Sequence, residues 1–364
     1  MSDGAHMRSA LALARRGLGQ TWPNPSVGCV IVAEGRVVGR ARTADGGRPH
    51  AEALALAMAG AAARGATAYV TLEPCAHRGQ TPPCVEALIA AGLARVVIAS
   101  RDVDPRVNGA GVARLRAAGV DVTEGVLNAE ADALQAGFFT RLRLGRPLVT
   151  LKLASTLDGR IATGSGESRW ITGEAARRAA HGLRGRHDAV MVGVGTVLAD
   201  DPDLTCRIAG YAARPPVRVV VDSHLRIGLR SRLAVSAAAA PVWVIGRDGA
   251  DPARREALEQ LGATLIEVAG SEAGVDVAAA LAALGARGVT RVLLEGGARL
   301  AGSMLRAGLV DRVVWFHAPS VMGGDGWAAV QGFGVGHLAE MPGFRRVAAA
   351  PVGDDWMTEY ETAA

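Results

Sequence analysis

Four side chains have the types and spacing of a metal-assisted proton-transfer site. They are His50 and Glu52 in Pro49-His-Ala-Glu, Cys75 in Glu73-Pro-Cys, and Cys84 in Pro83-Cys. One imidazole and two thiolates give a tetrahedral divalent ion three protein ligands. The fourth position is left for water, which is the layout of a catalytic rather than a structural zinc site. An ion so held brings the pKa of bound water to about 7. Glu52, two residues from the imidazole, is spaced to carry protons between that water and a reacting group. A structural site with His77 as fourth ligand is the competing reading, but it leaves Glu52 without a task. Cys29, among Val and Ile residues, and the isolated Cys206 read as small buried hydrophobes.

A second group is marked by composition. Among 40 Lys and Arg residues there is one lysine, Lys152. An ammonium can lose its proton near neutral pH and a guanidinium cannot, so a lysine kept in an arginine-rich chain points to a need for an amine. In Leu148–Ala154, alternation puts Thr150, Lys152 and Ala154 on one face of a strand and Val149, Leu151 and Leu153 on the other. The lysine thus shares its face with a small residue, leaving room for a flat ligand. Farther on, Leu294-Glu295-Gly296-Gly297 followed by an Ala/Leu segment reads as strand, glycine pair, helix. Backbone N–H groups exposed at such a helix start suit a pyrophosphate. Gly193-Val-Gly195 lacks the third glycine of the dinucleotide fingerprint, so no Rossmann domain is inferred from it.

The elements that position these residues fall into two α/β series, expected as domains over residues 1–145 and 146–364. The first opens with a helix over 5–19. A hairpin of Val27–Val32 and Arg36–Gly39 follows around Glu34-Gly35. Pro49 is expected in the first turn of a helix over 50–64, and Pro82-Pro83 open a helix at Cys84, where the helix dipole favours a thiolate. Strands are predicted at 68–72, 95–100 and 120–124, and helices at 111–118 and 128–140. Residues 141–147 are expected as a linker. The second series alternates strands near 148, 189, 217, 242, 264, 291 and 312 with helices near 174, 252, 276 and 298. Such alternation predicts a largely parallel sheet covered by helices.

A length of 364 residues favours two domains, and 49% hydrophobic with 21% charged residues describes a globular chain. No apolar run approaches a membrane span, and no secretory signal pattern opens the sequence, so a cytoplasmic protein without membrane contact is expected. The net charge of +5 carries no dense basic tract. It suits anionic small molecules such as phosphate esters better than nucleic acid.

His-x-Glu with a downstream Pro-Cys is the pattern of zinc nucleobase deaminases. More closely, Thr21-Trp-Pro-Asn24-Pro25-Ser-Val-Gly28-Cys29-Val and Thr71-Leu-Glu-Pro-Cys-Ala-His-Arg-Gly-Gln-Thr-Pro-Pro-Cys84 resemble the deaminase half of the bifunctional riboflavin-biosynthesis deaminase/reductases. Eight residues between the cysteines, rather than two, separate this pattern from cytidine and tRNA-adenosine deaminases. The segments from Pro147 to Arg160, Gly166 to Thr172, Val192 to Leu204 and Leu294 to Ser303 resemble the reductase half in the same order. The resemblance implies an N-terminal cytidine-deaminase-like α/β/α domain and a C-terminal dihydrofolate-reductase-like α/β domain. It implies zinc on His50, Cys75 and Cys84, with Glu52 as proton shuttle and Asn24 against the pyrimidine. Gln80 stands where the family more often has a basic residue. In the reductase half it implies NADPH against Ala154, Trp170, Thr196, Asp200, Ser223 and the run Gly297, Ala298, Arg299, Leu300, Ala301, Gly302 and Ser303. Substrate would meet Ser168, Arg184, Leu204, Arg207 and Glu295, with Lys152 and Asp200 as candidates for orienting or proton transfer.

The expected substrate is a phosphorylated pyrimidine, deaminated and then reduced in its ribose side chain. A homo-oligomer, dimer or tetramer, is expected. Two other readings compete with this one. A nucleic-acid deaminase with a binding module calls for basic, aromatic-interleaved surfaces, against an aromatic content of 4%. A non-catalytic zinc protein does not need the complete His50, Glu52, Cys75 and Cys84 set.

Overall fold

The computed structural model describes residues 2–79, 82–211, 213–271 and 274–363. Gln80, singled out above, lies outside the described residues. The chain forms two compact units, Met1–Gly145 and Arg146–Ala364.

The first unit runs α1 (Asp3–Arg15), β1 (Gly28–Ala33), β2 (Arg36–Arg42), α2 (Ala51–Ala59), β3 (Thr67–Leu72), α3 (Cys84–Ala90), β4 (Arg95–Ser100), α4 (Ala110–Ala117), β5 (Asp121–Glu124) and α5 (Asn128–Leu144). Its sheet has the order β2-β1-β3-β4-β5. β1 pairs antiparallel with β2 and β3, and the remaining pairs are parallel. Positive φ at Glu34 and Gly35 makes the tight β1–β2 turn. Alternate residues feed two cores. Met7 and Leu11 of α1 meet Val30, Tyr69, Val97 and Leu134 on one face. Ala55 of α2, Val85 and Leu88 of α3 and Leu115 of α4 meet Cys29, Ile31, Val70 and Ile98 on the other.

Three local expectations are corrected. Pro49 precedes the helix instead of opening it, since His50 is the N-cap of α2. The long helix expected to residue 64 ends at Ala59, and a short 3-10 turn covers Gly60–Ala63. The helix expected to stop at Thr140 runs to Leu144, so residues assigned to a linker supply its last turn.

The second unit continues with β6 (Leu148–Ser155), β7 (Arg160–Ala162), α6 (Glu174–Gly185), β8 (Ala189–Gly193), α7 (Val194–Asp200), β9 (Val217–Val221), α8 (Arg232–Val235), β10 (Val242–Arg247), α9 (Pro252–Gln260), β11 (Thr264–Val268), β12 (Gly270–Ser271), β13 (Gly274–Val275), α10 (Val277–Ala286), β14 (Arg291–Glu295), α11 (Ala298–Arg306), β15 (Arg312–His317), β16 (Trp327–Ala328), β17 (Phe344–Val352) and β18 (Asp355–Thr362). The main sheet has the order β11-β10-β9-β8-β14-β6-β15-β18-β17. It is parallel from β11 to β15 and antiparallel across β18 and β17. The chain enters at β6, moves outward through β8 to β11, and returns to insert β14 between β8 and β6. Neighbouring crossovers therefore diverge there, and a crevice opens beyond the carboxyl ends of the strands, where ligands bind in open α/β sheets. α6 packs through Ala176 and Leu183 near Val314 and Phe316, and its N-cap N–H, on Gly173, donates to Asp355 Oδ2 at 2.7 Å.

Candidate active sites

In the first unit, N-capping places His50 at the mouth of α2 and Glu52 in its first turn. Cys84 begins α3, directly after its N-cap Pro83. Cys75 follows β3 by three residues. The ligand atoms of His50, Cys75 and Cys84 all lie within 4.8 Å of one another, and among the described residues no further His, Cys, Asp or Glu joins them. His77 is therefore not a fourth member, and its buried Nδ1 has no hydrogen-bond partner. His50 Nδ1 stands 3.3 Å from Cys84 Sγ and 3.7 Å from Cys75 Sγ.

The electrostatics suit a cation. Cys84 donates its backbone N–H to Cys75 Sγ at 3.3 Å. Hydrogen bonds from the Cys84 thiol, opposed by burial and aided by His50, bring the Cys75 thiol down to about 4. Cys84, holding the shared hydrogen and buried, is pushed up. The two sulfurs and the imidazole nitrogen are thus gathered where a divalent ion would sit. Glu52 is 3% exposed. Burial pushes its carboxyl up, His50 opposes and Cys75 adds. A buried carboxyl with a raised pKa is suited to holding and passing a proton.

Two supports of this site lie beside its ligands. Glu73, itself buried, accepts four backbone N–H bonds, from Asp102 at 3.3 Å, Gly109 at 3.0 Å, Gly111 at 2.9 Å and Val112 at 3.2 Å. The start of α4 is thereby tied to the residue two before Cys75. Gly111 is required by close approach, because a Cβ there would lie 2.3 Å from the Pro74 carbonyl oxygen. A glutamate ending a buried strand was the only sequence signal for this. Asn24 donates Nδ2–H to the Gly47 carbonyl at 2.8 Å, which anchors the segment leading to His50.

In the second unit a cavity of about 1310 Å³ lies at the strand ends. Its lining includes Lys152, Ala154, Ser168, Trp170, Thr196, Asp200, Ser223, Gly297, Ala298, Arg299, Leu300, Ala301 and Ser303. Val149, Leu151 and Leu153 are buried, so the two faces of β6 divide as alternation requires. Gly296 and Gly297, both with φ +88, turn the chain from β14 into α11 against Thr196. The start of α11 then faces the cavity with its free N–H groups. Trp170 is 67% exposed, with the Arg177 guanidinium 4.6 Å from its ring centroid. Arg169 donates to the Asp200 carbonyl oxygen at 2.8 Å.

Other expected residues stand apart from the lining. Gly302 packs against the Gln331 carbonyl, and Leu204 is 2% exposed. Arg184 and Glu295 are joined to each other by two bonds, Nε–Oε1 at 2.6 Å and Nη2–Oε2 at 2.9 Å. Glu295 is in register with Lys152 on the adjoining strand. Burial pushes the Lys152 ammonium below its ordinary range, Glu295 opposes and Arg184 adds. Burial would raise the Glu295 carboxyl, but Arg184 and Lys152 prevail and hold it low. Arg207 lies at the surface beside His181.

The fold and its two sites define a zinc-binding deaminase joined to a reductase that uses NADPH. Residues 1–100 match the cytidine and deoxycytidylate deaminase zinc-binding region, and residues 147–357 match the RibD C-terminal domain. The riboflavin biosynthesis protein RibD of Escherichia coli (strain K12) is 42% identical over 98% of both chains. The Acinetobacter baumannii RibD structure superposes with a TM-score of 0.88 at 38% identity, over 99% of each chain. A deaminase/reductase structure from Thermotoga maritima gives 0.86 at 35% identity, also over 99% of each. The chain belongs to the RibD family of bifunctional riboflavin-biosynthesis enzymes. Among the described residues no helix is long and apolar enough to cross a membrane.

Proposed function

We propose that residues 1–145 hydrolytically deaminate 2,5-diamino-6-(5-phosphoribosylamino)pyrimidin-4(3H)-one. Residues 146–364 then reduce the product, 5-amino-6-(5-phosphoribosylamino)uracil, to its ribityl form. The observation that carries the first step is the convergence of His50, Cys75 and Cys84 with the buried Glu52. The Thermotoga maritima relative bears the names of this deaminase and this reductase. His50, Cys75 and Cys84 would hold the zinc ion, which when bound would supply Lewis acidity to water at neutral pH. Glu52 takes a proton from the attacking water and delivers it to the ring nitrogen. The water oxygen bonds to the ring carbon, Glu52 moves the remaining hydroxyl proton to the exocyclic amine, and the C–N bond breaks to release ammonia and leave a carbonyl. Asn24 orients the pyrimidine from the α1–β1 connection, beside the segment that leads to His50.

In the second unit the cavity residues would hold NADPH, which when bound would supply hydride for the anomeric carbon of the opened ribose. Ala154, Trp170, Thr196, Ser223 and the start of α11 hold the cofactor, and the α11 N–H groups suit its pyrophosphate. Lys152, whose ammonium gives up its proton more readily than an exposed lysine, or Asp200 supplies the accompanying proton. Ser168, Arg184, Leu204, Arg207 and Glu295 form the substrate side, with Arg207 taking the phosphate. Four free cysteines accord with a reducing cytoplasmic setting. The exposed Val335, Leu338, Met341 and Val347, near edge strand β17, support self-association as a dimer or tetramer.

Ammonia release and NADPH oxidation, followed separately, test the assignment. Glu52→Gln is expected to abolish the first and to spare the second when the deaminated intermediate is supplied. Loss of both, or of neither, would overturn it.

A further inference from the structure

We infer that His181 is a positioning residue of the reduction site. As a neutral imidazole it holds the Arg207 guanidinium in place for a phosphate monoester, and on gaining a proton it lets that guanidinium go. The inference rests on the reading above that Arg207 binds the substrate's phosphate.

The contacts favour one tautomer, with more partners served than in the other. His181 lies on α6, one turn before Arg184. Its Nε2 stands 3.2 Å from Arg207 Nε and 3.1 Å from Arg207 Nη2. Guanidinium nitrogens only donate, so Nε2 facing two of them must present its lone pair. With Nε2 accepting, the ring proton is on Nδ1 and donates to the Thr205 carbonyl at 3.1 Å, at the expense of the Arg207 backbone N–H, which also faces Nδ1 at 3.3 Å. The same carbonyl accepts from Arg184 Nη1 at 3.1 Å. One backbone oxygen thus links the Arg184–Glu295 pair to the imidazole that steadies Arg207. The other ion-pair partner of Arg207, Asp203, stands 3.7 Å away and is shared with Arg232 at 3.0 Å. Arg207 is itself 61% exposed in its side chain. The imidazole is therefore the nearer of its two anchors.

A protonated ring cannot play this part, because Nε2–H would point at two N–H donors. The groups facing His181 are Arg184 on its own helix, Arg207 on the 201–211 segment and Glu295 on β14. Asp203 and Cys206 reach it through Arg184, and Lys152 through Glu295. Burial, with the two arginines against one carboxylate, keeps the ring below the ordinary imidazole range. The acceptor is thus intact at neutral pH and is lost only below the ordinary imidazole range.

The test is steady-state reduction of 5-amino-6-(5-phosphoribosylamino)uracil between pH 5 and 8 by the full-length protein and three variants. His181→Gln places an amide oxygen near Nε2 and has no proton to gain. His181→Ala removes the acceptor, and Arg207→Ala removes the guanidinium. NADPH binding, followed by fluorescence, reports that each cleft is folded. The substrate phosphate titrates near pH 6 in every variant, so the reading is the difference between wild type and His181→Gln. His181→Ala is expected to raise KM on the order of tenfold at pH 8, the scale of one charge-assisted contact, with a smaller change in kcat. Wild-type KM should rise toward pH 5 more steeply than that of His181→Gln. A wild-type KM for His181→Ala at pH 8, beside a raised KM for Arg207→Ala, would sink the inference alone. An equal pH dependence in wild type and His181→Gln would do the same. An unchanged KM in Arg207→Ala would instead remove the phosphate assignment beneath it.

Discussion

Replacing Gly111 by alanine should disable the metal site without touching any of its ligands. The added Cβ would lie 2.3 Å from the Pro74 carbonyl oxygen, 3.1 Å from Glu73 Oε1 and 3.2 Å from Glu73 Cγ. A carbon-to-oxygen contact relaxes at about 3.3 Å, so α4 and the Pro74 peptide must separate by roughly 1 Å. The obstacle is backbone, and the side chain behind it is locked by four hydrogen bonds. No flexible group can give way. Overpacking of this kind costs about 1–3 kcal/mol. The peptide that moves ends at Cys75, whereas ligand distances tolerate only about 0.2 Å. Zinc affinity should therefore fall about 10- to 100-fold, the range seen when the support of a ligand is disturbed. Competition with a graded series of chelators measures this, with ammonia release measured at the same time. Reduction of the supplied intermediate should be unaffected. A folded Gly111→Ala protein with wild-type zinc retention and deamination would show that the Pro74–Gly111 contact does not set the position of Cys75.

Three further outcomes are expected. Glu73→Ala leaves four backbone N–H groups without their acceptor, and unfolding of the first unit should ease by several kcal/mol, at about 1–3 kcal/mol per buried group; urea denaturation followed by a first-unit probe measures it. Lys152→Arg keeps the charge and removes the amine, so reduction should fall at least tenfold in kcat with NADPH affinity little changed; unchanged reduction kinetics would remove Lys152 from the chemistry. His187 is buried as a neutral ring, donating Nδ1–H to Leu183 at 2.7 Å and meeting Thr150 Oγ1 at 3.0 Å, and burial brings its pKa down to about 3. The unfolded chain binds the proton first, so this contribution to stability is whole above about pH 6.5 and is lost as pH falls toward 3. The loss is about 2 kcal/mol at pH 5. His187→Gln, compared with wild type by urea unfolding at pH 7 and 5, should lack that part of the decline, and equal declines would refute the assignment.

Much of the chemistry was legible in the chain because it is local. His50 and Glu52 share the start of one helix and Cys84 starts another, so each motif is readable by itself, while the fold brings the three ligand atoms within 4.8 Å of one another. Strand alternation placed Lys152 and Ala154 on one face and three apolar neighbours on the other, as the buried Val149, Leu151 and Leu153 bear out. Boundaries were less legible. Nothing in the composition of residues 141–144 distinguishes a helical last turn from a linker, and Pro49 reads equally well before an N-cap or after it. The β17–β18 hairpin, whose exposed strand alternates weakly, gave no pattern to read.

By itself, then, the order of residues determined the α/β alternation and the kinds of group that can grip a metal, since elements and motifs such as Pro-His-Ala-Glu and Pro-Cys depend on neighbours a few positions apart. Only the tertiary structure decided what steadies them. Glu73 finds its four donors 29 to 39 residues away, Arg184 meets Glu295 across 111 residues, and His181 reaches Arg207 from a separate segment. Such partners are chosen by how the sheet orders its strands and where the crossovers diverge, and those choices minimise the free energy of the whole chain rather than of any stretch of it.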